Sequence, residues 1–384
     1  MYNSLSTHPV GSWSELTGLP NKKELVEGLD FRLPEYRREV FLRFYEFHLK
    51  YKSHPGAVYF MFDFLKEKHN LTQEQMYWLA FINGVTQNIL TSWVIYSEFS
   101  EHTVDPETVQ TYINDNWSRL GWDMDRRYVK ANFGKSLKSY QSIVGKNQVS
   151  YFDKVCSSKD VEVNFRNLWN IVINEFSFFG RLSTFSYLEY LKIIGAKIDC
   201  DSLFLDDMSG SKSHRNGLSI VLGREDLDWH DKLNPSFMGY NEQHIPWLEK
   251  EGEKLLLEAK SRFIDREFYK DVSYFTLEST LCCYKSWHRP NRRYPNVYMD
   301  MFYDRIKKAE ESWGVKKDFS DFWEARSKTL PVELRLEDNP TDPGLDKPKQ
   351  NHYRLTGEVI MMDIDNSCFK NSFNKESTLE DFYA

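Results

Sequence analysis

Apolar positions recur along most of this chain at intervals of three and four, the spacing that gathers them on one side of a helix. Over residues 35–50, Val40, Phe41, Phe44 and Phe47 form such a face, and Ser53-His54-Pro55-Gly56 breaks it. The helical spacing resumes over 58–68. Thr72 and Gln75 then stand as a capping box ahead of the next helix. Further helical patterns cover 106–117, 126–144, 165–194 (interrupted at Gly180), 261–287 and 294–313. Alternation that suits a strand is confined to 218–222 and 358–362. The pattern therefore predicts a mainly α protein with a short irregular or β segment near its C-terminus. Nothing repeats with a period of 20–50 residues, which argues against a solenoid.

One stretch departs from the usual amphipathic pattern. Residues 76–97 contain no charged side chain. On one continuous helix, Asn83, Gln87 and Thr91 form a stripe with Gly84 and Asn88 beside it, opposite Phe81, Ile82, Val85, Ile89 and Trp93. A solvated face would carry Glu and Lys, so these amides are expected to be buried and to need partners. Neighbouring backbone or a ligand can supply them, and the spacing leaves both readings open. Two Asn and a Gln at its centre make a membrane span costly.

The organisation expected is a polar lead-in over 1–30, a helical catalytic domain over 31–330 and an acidic arm over 331–384. Asp338-Asn339-Pro340 and Asp342-Pro343-Gly344 mark turns in that arm. The 27 Phe, 22 Tyr and 11 Trp exclude a disordered adaptor. Five Cys without CxxC pairing support neither a zinc framework nor a disulfide scaffold, which suits a cytoplasmic protein. The net charge of −7 argues against a chain that coats nucleic acid generally. Charge is uneven, however: seven basic residues meet two acids over 281–308, whereas from 333 onward eleven acids meet six bases. A basic segment within an acidic chain is either a local phosphate-binding surface or a solvated helix end.

Four further segments carry candidate chemistry. Arg181 follows Gly180 in an aromatic-rich stretch, where a guanidinium is held either against an anion or against Glu175 or Glu189. The segment from Asp206-Asp207 through Lys212-Ser213-His214-Arg215-Asn216-Gly217 has the composition of a phosphate cradle without P-loop spacing, although a flexible surface loop is the commoner source of such a composition. Its paired aspartates suit Mg²⁺ or a general base. Glu278, Cys282 and Lys285 share a helical face, as acid and ammonium for one pocket or as a structural ion pair. Arg289, Arg292, Arg293 and Tyr294, with Arg305 beyond them, suit phosphate contact and base stacking. Signatures of the common hydrolases, metalloproteases and nucleotide-binding folds are absent.

In this order, residues 43–56, 80–92, Phe179-Gly180-Arg181, Ser213-His214-Arg215-Asn216-Gly217 and 277–300 resemble a phage family, the alpha-glutamyl/putrescinyl thymine pyrophosphorylases or amino acid:DNA transferases. Ile89 stands where the family pattern has a proline. The resemblance implies displacement of pyrophosphate from 5-pyrophosphoryloxymethyluracil in double-stranded phage DNA by an amino acid or polyamine. It also implies a fold related to the helical DNA glycosylases, although no helix-hairpin-helix glycine motif is evident. The expected setting is the cytoplasm of the infected host, with a hydroxymethyluracil DNA kinase and a pyridoxal-phosphate enzyme as pathway neighbours. On this reading Arg181, Lys212, Arg215, Lys285 and Arg305 neutralise the leaving pyrophosphate. Asp206, Asp207 and Glu278 compete as the base. Asn83, Gln87 and Asn88 read a flipped uracil edge, with Asn216 in the same site. Arg289, Arg292, Arg293 and Tyr294 contact DNA. No cofactor is required with certainty, and Mg²⁺ is the one that pyrophosphate chemistry suggests. The competing class is a glycosylase-like DNA-binding or base-excision protein; a structural phage protein accounts less well for the clustered arginines.

Overall fold

Capping chemistry and buried aromatic faces, more than local helix propensity, set the boundaries in this computed structural model. It describes residues 34–50, 52, 58–122, 127–205, 213–224, 227, 237–285 and 301–329. Among the described residues there are fifteen α-helices and no strand. They are α1 (Pro34–Lys50), α2 (Val58–His69), α3 (Gln73–Thr86), α4 (Ile89–Glu98), α5 (Pro106–Asp115), α6 (Arg127–Lys130), α7 (Phe133–Val144) and α8 (Gln148–Val155). There follow α9 (Val161–Glu175), α10 (Arg181–Ile193), α11 (Ser213–Val221), α12 (Phe237–Arg262), α13 (Tyr274–Lys285), α14 (Met301–Trp313) and α15 (Ser320–Thr329). The mainly α expectation holds. The segment 358–362, the lead-in over 1–30 and the arm over 331–384 lie outside the described residues.

The capping box at the start of α3 forms in both halves. Gln75 N–H donates to Thr72 Oγ1 at 3.3 Å, and Thr72 N–H donates to Gln75 Oε1 at 2.9 Å. The continuous helix expected beyond it does not form. Gln87 takes the left-handed conformation at φ 54° and closes α3, with its N–H on the Asn83 carbonyl at 2.8 Å. Asn88 then caps α4, its Oδ1 accepting from Thr91 N–H at 3.2 Å. Side chains that bond to nearby backbone compete with the helical ladder, and Thr86-Gln87-Asn88 places three of them in a row. The stripe of amides is thereby broken up. Asn83 Oδ1 accepts from Ser92 Oγ at 3.0 Å, and Gln87 joins Gly84 O and Tyr190 Oη at 3.0 and 3.1 Å.

Two hydrophobic clusters build the interior. The larger holds Phe81, Tyr140, Phe176, Phe179 and Tyr187, drawn from α3, α7, α10 and the α9–α10 turn, and extends to α14 and α15. The smaller joins α1, α11, α12 and α13 through Phe41, Tyr45, Leu218, Leu248 and Leu277. Helix α13 serves both: Phe275 belongs to the first cluster, whereas Leu277 and Leu281 belong to the second.

Helices α11 and α13 are the most closely packed pair. Gly217 makes that approach, because a Cβ there would stand 2.1 Å from the Leu281 carbonyl oxygen. This overturns the strand pattern at 218–222 and the surface-loop reading of 213–217. Both stretches are wholly or partly helical, and His214 through Val221 are buried. With polar and apolar neighbours equally enclosed, alternation there carries no face information. The single helix expected over 261–287 is two elements: α12 ends at Arg262, and a turn with a 3₁₀ segment (Tyr269–Asp271) leads into α13. Helix α12 itself was not legible as a pattern.

Candidate active site

A buried polar cluster lies where α10, α11 and α13 meet. Arg181 is the first residue of α10, after Gly180 at the N-cap, so its position comes from the start of a helix. His214, Arg215 and Asn216 occupy the first turn of α11, and Glu278 sits one turn into α13. All five are buried, with exposures of 1–4%. Arg181 is on a helix of the larger cluster, His214 to Asn216 are on a helix of the smaller, and Glu278 is on α13, which serves both, so the cluster sits at the seam between them.

The geometry fixes a proton arrangement. Arg181 Nη2 lies 3.2 Å from His214 Nε2, and a guanidinium can only donate. Nε2 is therefore the acceptor, which assigns the imidazole proton to Nδ1. That atom faces Glu278 Oε1 at 3.3 Å. Arg181 Nη1 lies 3.6 Å from the same carboxylate oxygen, and Cys282 Sγ–H points to Glu278 Oε2 at 3.7 Å. Arg215 Nη1 donates to the Leu205 carbonyl at 3.2 Å. Beside the cluster, Ser279 Oγ donates to the buried Glu189 carboxylate at 3.3 Å.

Burial governs the protonation states. It holds His214 well below the ordinary histidine range, reinforced by Arg181 and Arg215, so the imidazole is neutral. Burial raises the Glu278 carboxyl above the ordinary glutamate value, while Arg181 pulls the other way. The Cys282 thiol is pushed well up by burial and by Glu278, so it is no nucleophile here. The result is a neutral imidazole backed by a carboxylate of enhanced basicity, with two guanidiniums at hand.

His214, Glu278 and Cys282 also bring one ligand atom each within 4.8 Å of one another. That nitrogen–oxygen–sulfur set is of the zinc kind, whereas Mg²⁺ takes oxygen ligands. The Arg181 guanidinium beside Glu278 competes with any cation there. The cluster therefore does not fit the Mg²⁺ that pyrophosphate chemistry suggests.

The structure brings Arg181, Arg215, Asn216 and Glu278 together from the sequence candidates. Lys285 ends α13, two turns from Glu278, and is half-buried. Asn83 and Gln87 serve the α3–α4 break. Asn88 and Arg305 line a separate cleft of about 670 Å³ between α4, the turn at 117–122 and α14. Asp206, Asp207, Lys212, Arg289, Arg292, Arg293 and Tyr294 lie outside the described residues. Sequence reasoning missed His214, whose signal was its place beside Arg215. It also missed Lys130, Trp117 and Trp122, which line the cleft and carried no signal of their own.

A helical scaffold that buries arginines with a carboxylate and an imidazole gathers groups suited to an anionic partner and to proton transfer. Comparison with known proteins agrees and is more specific. The model of the amino acid:DNA transferase family matches residues 60–293, and the chain belongs to that family. All the residues of the buried cluster fall inside that match. The chain is also similar to a protein of Salmonella phage ViI named serinyltransferase, with 28% identity over 344 residues covering 86% of this chain and 83% of that one. No solved structure matches it significantly. The chain is thus a transferase with DNA and an amino acid as substrates. No described helix is long and apolar enough to cross a membrane.

Proposed function

We propose that this protein displaces pyrophosphate from 5-pyrophosphoryloxymethyluracil in phage DNA with an amino acid, and that the Arg181–His214–Arg215–Glu278 cluster is the transfer site. One observation carries the reading: three segments distant in sequence, each part of the family resemblance, bring Arg181, His214 and Glu278 into mutual contact in one buried place, with Arg215 close enough to act on His214. In the reaction, the nucleophilic atom of the amino acid forms a bond to the exocyclic CH₂ carbon. The C–O bond breaks, and its electron pair leaves with the pyrophosphate. Arg181 and Arg215 face the charge that builds on that leaving group, with Lys212 and Lys285 as further cations; Arg305, which lines the separate cleft, is not among them. Glu278 takes the proton from the attacking N–H or O–H; its raised basicity suits the task, and His214 holds it in place. Asp206 and Asp207 are the alternatives for that role. Flipping brings the base out of the duplex to reach the transfer site. Serine is the donor to test first, given the name of the similar phage protein.

The test is mass spectrometry of nucleosides from duplex DNA carrying 5-pyrophosphoryloxymethyluracil, incubated with the protein and serine, then with mixed amino acids and putrescine. A new thymine adduct with released pyrophosphate is expected. Arg215→Ala and Glu278→Gln should each lower its yield by at least about 100-fold while the helical signal is retained. Unchanged base across all donors overturns the proposal, and free base or abasic sites would assign base excision instead.

A further inference from the structure

The cleft lined by Asn88 and Arg305 has a chemistry of its own. Its described lining includes Arg119, Lys130, Arg305 and Lys308 and no acidic residue, on a protein whose net charge is −7. Three tryptophans, Trp117, Trp122 and Trp313, join them. Lys130 is 5% exposed, yet its partners are the carbonyls of Trp117 and Leu120, the latter at 2.6 Å, and no carboxylate. Its ammonium also stands over the Trp117 ring at 4.3 Å and the Trp122 ring at 5.2 Å. Burial brings its pKa down to about 8, as expected of a cation enclosed without a counter-charge. Arg119 lies over the Trp313 ring at 5.7 Å. Trp117 remains 37% exposed at the rim, a large aromatic surface left to solvent.

Such a cleft selects its ligand. A free amino acid is a zwitterion whose ammonium finds no carboxylate in the described lining, and it is small for about 670 Å³. A polyamine is excluded more strongly. A nucleotide fits on both counts, since its phosphate answers the cations and its base stacks on indole. We propose that this cleft binds a nucleotide of the DNA substrate, outside the transfer site, with the phosphate at Arg119, Arg305 and Lys308 and the base against the exposed face of Trp117. The inference rests on membership of a DNA-acting family and not on the pyrophosphate chemistry.

The experiment is fluorescence anisotropy of a labelled duplex of ordinary bases, titrated with the full chain from about 50 to 200 mM salt, the range over which phosphate contacts show. The variants are Lys308→Gln, Arg119→Gln/Lys308→Gln, Trp117→Ala and Trp117→Tyr, each checked for its thermal melt. Loss of two of the three cations at that phosphate should weaken binding about tenfold or more and flatten the slope of log K against log salt by up to roughly 0.9. Trp117→Ala should weaken binding by about fivefold or more, and Trp117→Tyr should restore most of it, because a phenol ring still stacks. Thymidine 5′-monophosphate is titrated in parallel to separate free nucleotide from DNA. Variants that bind the duplex as the wild type does, with unchanged slope, overturn the proposal. So does loss of monophosphate binding alone with duplex affinity intact. Because the duplex carries no pyrophosphate, failure of the transfer reaction leaves this outcome unaffected.

Discussion

Replacing Gly217 with alanine tests whether the approach of α11 to α13 builds the site. The added Cβ would lie 2.1 Å from the Leu281 carbonyl oxygen, 2.8 Å from its carbon and 3.2 Å from its Cα. A carbon–oxygen contact settles at about 3.3 Å or beyond, so the helices must part by roughly 1 Å. All three neighbours are backbone atoms, and no rotamer change relieves the clash. His214 stands three residues before Gly217, and Glu278 three residues before Leu281. The same displacement therefore acts on their 3.3 Å contact. Overpacking of this kind costs about 1–3 kcal/mol, and a misplacement of about 1 Å can lower a rate about 100-fold. The expectation is a urea midpoint below the wild type, read by circular dichroism, with adduct formation down by about two orders of magnitude. Gly84→Ala is the control: its Cβ would meet the Tyr187 side chain at 3.1 Å, which can yield by a few tenths of an ångström. It should be milder in stability and near normal in turnover. A Gly217→Ala protein with wild-type midpoint and turnover would refute the reasoning.

Thr72→Ala removes one half of the capping box at α3 and should cost about 1 kcal/mol in urea unfolding; an unchanged midpoint counts against the cap. The His214 imidazole should stay neutral from pH 8 down through pH 6, so its Cε1–H resonance should not titrate in that range. An unfolded histidine takes up a proton near pH 6.5 and the folded one does not. The contribution of His214 to stability is therefore full above about pH 6.5 and declines below it. A resonance that titrates near 6.5 contradicts the buried arrangement. In the free protein the Lys130 ammonium should titrate at about 8, seen by Nζ-detected NMR, and duplex DNA should move it upward. A free-protein midpoint near the ordinary lysine value, about 10.5, would place that ammonium in water.

Helical spacing carried the fold reading well where one face was apolar and the other solvated, as in α1, α2 and α5. It failed where a helix is enclosed on all sides. Ser219 is as buried as Leu218 and Ile220, so α11 shows no face and its residues pass for a strand or a loop. The break at Gln87-Asn88 was hidden for another reason: apolar spacing continues through it, and only the run of backbone-seeking side chains signals it. At the site, Arg181, Arg215 and Glu278 were legible as residue types in suggestive company, but nothing local joins positions about 30 and 60 residues apart. The contacts that join them come from Gly217 and the packing of α11 on α13. Lys130 shows the limit most clearly. A lone lysine in sequence is ordinarily a solvated charge, and it is the closure of Trp117 and Trp122 over it that makes it otherwise.

Stability alone gives little reason to bury Arg181, His214, Arg215 and Glu278 at the seam of two cores. Desolvation takes back most of what a buried ion pair gains, and apolar residues of similar volume commonly do as well or better. Arg181 Nη1 and His214 Nδ1 converge on one Glu278 oxygen, at 3.6 and 3.3 Å. Arg181 lies beside the Glu278 carboxylate, Arg215 acts on His214 next to it, and the buried Glu189 carboxylate stands one residue further along through Ser279. The neutral imidazole adds no further charge and keeps Glu278 within reach as a base. A cluster that stability does not call for is the kind of place where the proposed transfer chemistry would sit.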